Sequence, residues 1–372
     1  MPTDGALRDP VECVIKVDGT EVRDFYPYLR EAKVEMSRKA ATVATLVFES
    51  VRTESGTWLI QDAGVFRPWK RIQIDARFGT HSEEVMRGFV KEVKADCPQD
   101  MSQATVTITA QDESLLLDRE HIRRNWSRED AQLSDGQIAQ QIASDHGLSA
   151  QVEPGLTHTS LNADATYIRF LQDRAEANGY ELLVRAGTLQ FGPPQLSGAP
   201  QPTILVYAGG DSNCLRFSAS FDGHKPDQVR VMRAAEQGTD IEDQSVSPDL
   251  PLLGRESAGS ENAGLSPFVW TLPRPTGATA AEAQSRAQAR VNENAWKISA
   301  EGELDGVLYA HVLLTHQTVN VDGVGSTYGG LYYVDEVRHT FNQQGYRQVF
   351  KLLRNAVGDQ QSPSSDRLAA VR

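Results

Sequence analysis

The sequence predicts a mainly β protein with α+β insertions, and three observations predict it. In residues 105–110, Val106, Ile108 and Ala110 alternate with Thr105, Thr107 and Thr109, the period-two pattern of a half-buried antiparallel strand. Residues 330–354 read as two such strands joined by Asn342-Gln343-Gln344-Gly345, the closing hairpin of a β-barrel. Between these β stretches lie segments whose apolar residues recur at helical spacing. An internal echo ties the two ends together. Val90-Lys91-Glu92-Val93 matches Val334-Asp335-Glu336-Val337, each a few residues after a glycine, so Gly88, Val90, Val93, Gly330, Val334 and Val337 form the signature of a repeat.

Residues 1–115 read as one β unit. Residues 11–17 alternate up to an Asp18-Gly19 turn, and strands follow at 43–48, 72–78, 85–94 and 105–110 with turn residues between them. The texture changes in residues 116–213. Ser134 with Gln137 three positions on makes a capping box, Ile138 and Ile142 lie one turn apart, and Gly147 supplies a stop, which predicts a helix over 135–146. A second helix is expected within 166–178, where Ile168, Leu171 and Ala175 share a face. A hairpin around Ala186-Gly187 follows, then a linker marked by Pro193, Pro194, Pro200 and Pro202.

Strand texture returns in residues 214–235 and resumes in 296–357, where strands are expected at 307–314 and 317–321 before the last hairpin. Residues 236–295 interrupt it with Glu236, Asp240, Glu242, Asp243, Asp249, Glu256 and Glu261 among many Gly, Ser and Pro. This predicts mostly mobile acidic surface, one strand at 268–272, and a helix capped by Thr279 with Glu282 in the box position. Residues 358–372 are expected to be a flexible tail.

Composition narrows the function. The chain of 372 residues is long enough for several domains, with 40% hydrophobic and 23% charged residues. A formal net charge of -13 argues against gripping nucleic acid, which needs clustered Lys and Arg. No stretch approaches the ~20 apolar residues of a membrane span, and no basic segment leads an apolar run at the amino terminus, so synthesis in the cytoplasm is expected. Cys13, Cys97 and Cys214 are odd in number and far apart, which implies neither a disulfide framework nor a zinc site.

Signatures of chemistry are missing from the pattern. His311 and His316 are separated by an odd number on an expected strand, which would point their rings to opposite faces. The loop 322–330 is glycine-rich, but without a Lys or a following helix it cannot cradle phosphate. No catalytic residue, metal ligand or cofactor site is therefore assigned, and the chain is not expected to be an enzyme.

Three stretches, 72–117 with its RGFVKEVKAD core, 167–191 (YIRFLQDRAEANGYELLVRAGTLQF) and 331–354 (VDEVRHTFNQQGYRQVFKLLR in its later part), resemble the late-control protein D, or baseplate hub, family of contractile tails. That family is related to the hub part of the valine-glycine-repeat spike proteins of type VI secretion. The resemblance spans nearly the whole chain. It implies two similar antiparallel β-barrel tube domains, 1–115 and 214–235 with 296–357, plus two smaller inserted units at 116–213 and 236–295. It further implies a homotrimer whose six barrels match a six-fold tail tube on one side and a three-fold spike on the other. The expected partners are the tail tube protein, a separate spike protein and other baseplate proteins, within a phage virion or phage-tail-like particle. DNA or protein cargo would pass through the lumen without specific binding.

Two other readings stand beside this one. A tail-associated peptidoglycan hydrolase would carry its carboxylates in 116–213. A carbohydrate-binding or receptor-binding β protein would cluster exposed aromatics, whereas Trp58, Trp69, Trp126, Trp270 and Trp296 are spread along the chain. For the hub reading, the apolar residues on the presumed outer side of the last hairpin, Tyr332, Val334, Val349 and Leu353, are the candidates for a subunit or domain interface.

Overall fold

Alternation of apolar and polar residues builds one sheet of thirteen strands, numbered here in chain order. They are β1 (Glu12–Val17), β2 (Thr20–Glu21), β3 (Leu29–Ser37), β4 (Ala40–Glu49), β5 (Arg71–Phe78), β6 (His81–Asp96), β7 (Thr105–Asp112), β8 (Gln201–Leu205), β9 (Cys214–Phe221), β10 (Ile298–Asp305), β11 (Thr318–Asp322), β12 (Gly330–Asn342) and β13 (Gly345–Arg354). This computed structural model describes residues 10–127, 132–234, 241–260, 264–272 and 279–358. The tail beyond Gly358 and the acidic positions Glu236, Asp240 and Glu261 lie outside them.

The hydrogen-bonded order is β9-β10-β13-β12-β3-β4-β7-β6-β5-β1-β2, with β8 on β11 and β11 on β12. Every neighbouring pair is antiparallel except β8 with β11. The protein is mainly β, as its alternation predicts. The two separate barrels do not emerge as such: among the described residues the pairing path is open, and the halves are fused where β12 pairs with β3.

Each half has its own core. In the first, Ile15, Val34, Leu46, Phe48, Ile74, Val90 and Ile108 are buried together, joined from the other half by Val312, Phe341 and Tyr346. In the second, Ile204, Ile298, Leu304, Val319, Tyr332, Val334, Val337, Phe350 and Leu352 are. β7 shows the cause plainly, since each of its alternate residues Val106, Ile108 and Ala110 is fully buried.

The residues between β7 and β8 form a third core around two helices, α1 (Asp135–Asp145) and α2 (Tyr167–Asn178). The Ser134 hydroxyl accepts from the Gln137 N–H while the Gln137 side chain accepts from the Ser134 N–H, the reciprocal cap the sequence predicts. α2 ends at Gly179 in the left-handed region, φ 68°. Asp18-Gly19 and Ala186-Gly187 turn with both residues at positive φ, which matches two-residue hairpin loops.

Four expectations are corrected. The stretch 307–314 is not a strand: the Asp305 carboxylate accepts from the Val307 and Leu308 N–H groups and starts a helical turn, Gly306–Tyr309, closed by Ala310 at φ 57°. The proline-marked linker contains β8. β3, not anticipated, is the strand that joins the halves. The acidic insertion is also more ordered than expected, because Gln228–Ala234, Ile241–Val246 and Val269–Leu272 form a small sheet. Under it lies α3 (Ala280–Asn294), whose Ala283, Ala287 and Val291, one turn apart, pack on Val229, Val231 and Val246.

Candidate assembly surface

The echo seen in the sequence is a structural repeat. In β6 the pairing with β7 shifts between Val90, opposite Ala110, and Glu92, opposite Thr109. In β12 the pairing with β13 shifts between Val334, opposite Leu352, and Glu336, opposite Lys351. Lys91 and Asp335 are therefore the extra residues of two matching β-bulges.

The backbone around each bulge is tied in the same way. Trp69, at φ 72°, donates its N–H to the Val90 carbonyl (2.7 Å), and the Val90 N–H donates to the Lys70 carbonyl (2.9 Å). His316, at φ 64°, donates to the Val334 carbonyl (3.3 Å), and the Val334 N–H donates to the Gln317 carbonyl (3.0 Å). Val90 thus corresponds to Val334, and Val93 to Val337.

The glycines of the signature do not correspond. Gly88 pairs with Ile72, three residues after Trp69, and its counterpart is Tyr332, which pairs with Val319, three residues after His316. Gly88 is required by close approach, since a Cβ there would lie 2.0 Å from the Gln111 carbonyl oxygen. Gly330 answers a different need, a backbone at φ 115°.

The same bulge corrects the outer-face assignment in the last hairpin. One inserted residue inverts the parity of everything beyond it, so Val334 and Val337, three apart, share the second core with Tyr332. Tyr332 and Val334 are fully buried and offer nothing to another subunit. Leu353 and Tyr333 face the other way and are covered within the chain by Trp296, Leu253 and Leu196. Of the four candidates only Val349 is partly exposed.

At the seam between the halves, residues 336–342 of β12 pair with residues 31–37 of β3. The seam is locked by Arg38, whose side chain is only 7% exposed. Its Nε donates to Asp335 Oδ1 (3.1 Å), Nη1 to Glu181 Oε1 (3.2 Å) and Nη2 to Glu293 Oε1 (2.8 Å), while its N–H donates to the Asp335 carbonyl (2.8 Å). One guanidinium so joins β3, β12, α3 and the strand Glu181–Arg185. Burial pushes the Glu181 carboxyl up against the pull of Arg38. Burial acts on Glu293 as well, but there Arg38 and Lys39 outweigh it and hold the carboxyl below its ordinary range.

The repeat also identifies which edges are bare. Following the pairings outward, β9 occupies in the second half the place of β3 in the first: Ala32 and Phe217 flank the matching residues Leu46 and Gly302, and Val34 and Ala219 flank Ala44 and Ala300. The counterpart of residues 336–342 is the end of β6, residues 92–96. β6 has β7 on one side there, and its pairing with β5 on the other side stops at Phe89. Among the described residues no strand pairs with the outer edge of β9 or with that of residues 92–96. Glu92, Lys94 and Asp96 are exposed, as are Arg216, Ser218 and Ser220.

Burial, with Arg185 nearby, pushes His316 and His339 down to about 3, and burial pushes Cys13 up to about 12. The one grouping of three metal-ligating side chains among the described residues, His81, Glu83 and His311, was invisible in sequence because 228 residues separate Glu83 from His311.

Comparison with known proteins agrees with the fold. The 43 kDa tail protein of prophage MuSo2 from Shewanella oneidensis superposes with a TM-score of 0.68 at 15% identity, over 92% of this chain and 98% of that one. The tail protein from Neisseria meningitidis MC58 gives 0.64 at 12% identity, over 94% and 98%. The E. coli c3393 protein, a component of the type VI secretion system with structural similarity to the T4 tail proteins gp27 and gp5, gives 0.56 at 9% identity, over 95% and 80%. No curated protein matches the sequence. A family model does match, along residues 8–343, and it is that of the Alg8 N-terminal domain; the chain belongs to that family.

Proposed function

We propose that the chain is the structural hub of a contractile tail or injection system, of the late-control protein D kind, in which three copies form a ring between a six-fold tail tube and a three-fold spike. The observation that carries this reading is the pair of bare edges. Within one chain the first half offers β3 and the second offers residues 336–342, and the two pair. The outer edges of their counterparts, β9 and residues 92–96, have no strand partner among the described residues.

If β9 of one copy pairs with residues 92–96 of the next, the internal seam is repeated between copies. Transferring the register of the seam puts Val93 opposite Phe221, Lys94 opposite Ser220, Ala95 opposite Ala219 and Asp96 opposite Ser218. The parity agrees. Val93 and Phe221, both half-buried and both packed on their own cores, fall on one face, and the polar residues Lys94 and Ser220 fall on the other. Because the two edges differ, the contact is head-to-tail, and such a contact makes a ring where its rotation closes, here after three copies. Three copies of a duplicated unit supply six half-units, the number a six-fold tube requires.

In this reading 1–115 and 214–235 with 296–357 are the two tube-forming units, and the inserted units 116–213 and 236–295 lie outside the ring. The tail tube protein, a separate spike protein and other baseplate proteins are the partners, in a phage virion or phage-tail-like particle. A net charge of -13 lets DNA or protein cargo pass without being held. Native mass spectrometry of the purified chain, alone and with its tube and spike proteins, tests the proposal: a trimer is expected, and a chain that remains monomeric in both settings overturns it.

A further inference from the structure

We infer that His81, Glu83 and His311 form a binding site for a divalent transition metal ion, with Zn2+ the best match to the ligand set. The hairpin between β5 and β6 brings His81 and Glu83 to the same place as His311, which follows the helical turn Gly306–Tyr309 in the other half of the chain. Their ligand atoms all lie within 4.8 Å of one another. Glu83 Oε1 is 2.7 Å from His311 Nδ1 and 3.7 Å from His81 Nε2. Ligand atoms at ~2.0–2.2 Å from one tetrahedral zinc stand roughly 3.4 Å apart, so small side-chain rotations bring the three to one centre.

The surroundings hold these side chains in place. The second carboxylate oxygen of Glu83 accepts from the Val312 N–H (2.6 Å), which fixes the carboxylate and leaves Oε1 turned toward the imidazoles. His81 stacks on Phe78 with ring centroids 5.0 Å apart, and His311 meets Tyr309 edge-on at 6.2 Å. Two imidazole nitrogens and one carboxylate oxygen suit zinc and its transition-metal neighbours, whereas calcium and magnesium take sets made of oxygen. All three side chains are partly exposed, so an ion can enter directly and would keep water or an outside group in its remaining position. Bound there, the ion would join the β5–β6 hairpin of the first half to the 310–316 segment of the second, a cross-link independent of the Arg38 seam.

Isothermal titration of the metal-free, untagged chain with Zn2+, paired with thermal unfolding and with the visible spectrum of the Co2+ form, tests the site. One ion per chain, a raised unfolding temperature and a Co2+ spectrum with nitrogen ligands are expected. His81→Ala and His311→Ala should each weaken binding by roughly 10- to 100-fold or more. His121→Ala and His224→Ala, which remove exposed histidines elsewhere, should leave it unchanged. Equal binding by His81→Ala, His311→Ala and the unaltered chain, or no binding at all, overturns the inference.

Discussion

Lys91 and Asp335 occupy the same position in two copies of one bulged strand and carry opposite charge. Asp335 is buried and takes the Arg38 guanidinium at the seam between the halves, whereas Lys91 is exposed and donates to the Gln111 side chain at 3.0 Å. The repeat makes the difference intelligible. Arg38 follows β3, and the position matching it follows β9, at the exposed Asp222-Gly223 turn. Where the first contact sets an arginine on a bulge aspartate, the second would set a bulge lysine beside an aspartate of the next copy.

Lys91→Glu should therefore leave the monomer intact and weaken its association. Exposed substitutions of this kind usually alter stability by no more than about 0.5 kcal/mol. The expected result is an unchanged melting temperature with a trimer that dissociates at lower salt or higher dilution; unchanged association would mean that Lys91 lies outside the contact.

Arg38 is the reverse case. Arg38→Ala leaves Asp335, Glu181 and Glu293 close together without their shared cation, and breaking a buried ionic network in this way costs about 3–5 kcal/mol. Urea unfolding should show the loss directly. A change below about 1 kcal/mol would mean that the seam is held by strand pairing and apolar contact alone.

Val334 and Val349 separate burial from assembly. Val334→Lys places a charge in a fully buried core position and should abolish soluble folded protein, while Val349→Lys, at a partly exposed site, should fold normally. Circular dichroism and solubility distinguish the two. A well-folded Val334→Lys chain would contradict the bulge-inverted parity.

His339 and His316 make the fold sensitive to acid. Both are buried and held neutral down to about pH 3, far below the 6.5 of an exposed imidazole. Between those values the unfolded chain binds more protons, so stability is complete above about pH 6.5 and declines as pH falls toward 3. Each histidine can contribute on the order of 1 kcal/mol per pH unit in that window. Urea midpoints measured from about pH 7 to about pH 5 should fall, and His339→Gln, placed where Nδ1 meets the Tyr346 hydroxyl at 2.8 Å, should flatten the slope. An identical slope in that variant would shift the cause to carboxylates.

Much of the fold was legible in the chain, and the failures have physical causes. The alternation of β7, the cap at Ser134 and Gln137, the turn residues at Gly19 and Gly187, and the VKEV and VDEV echo all rest on local chemistry, and each reappears in the structure. A bulge is different. One extra residue leaves local composition unchanged but exchanges inside for outside, which is why Tyr332 and Val334 read as outward. β3 was missed because Arg30, Glu31, Lys33 and Glu35 mask the alternation of Ala32, Val34 and Met36, although those charges suit a strand with one solvated face. The Arg38 seam and the His81, Glu83 and His311 grouping depend on contacts between residues far apart in the chain, 143 apart for Arg38 and Glu181, 297 for Arg38 and Asp335 and 228 for Glu83 and His311, beyond any local pattern.

Disulfide trapping probes the proposed contact between copies residue by residue. Adjacent strands hold facing Cβ atoms about 4.5–5.5 Å apart, close enough for a disulfide after slight adjustment. With Cys97 and Cys214 replaced by serine, the double variant Lys94→Cys with Ser220→Cys is oxidised and run without reductant. Glu35→Cys with Arg338→Cys, which pair across the internal seam, serves as the control that must close within one chain. A covalent trimer is expected for the first variant and a cross-linked monomer for the second. A control that closes while the Lys94 and Ser220 variant stays a reduced monomer would contradict the proposed contact.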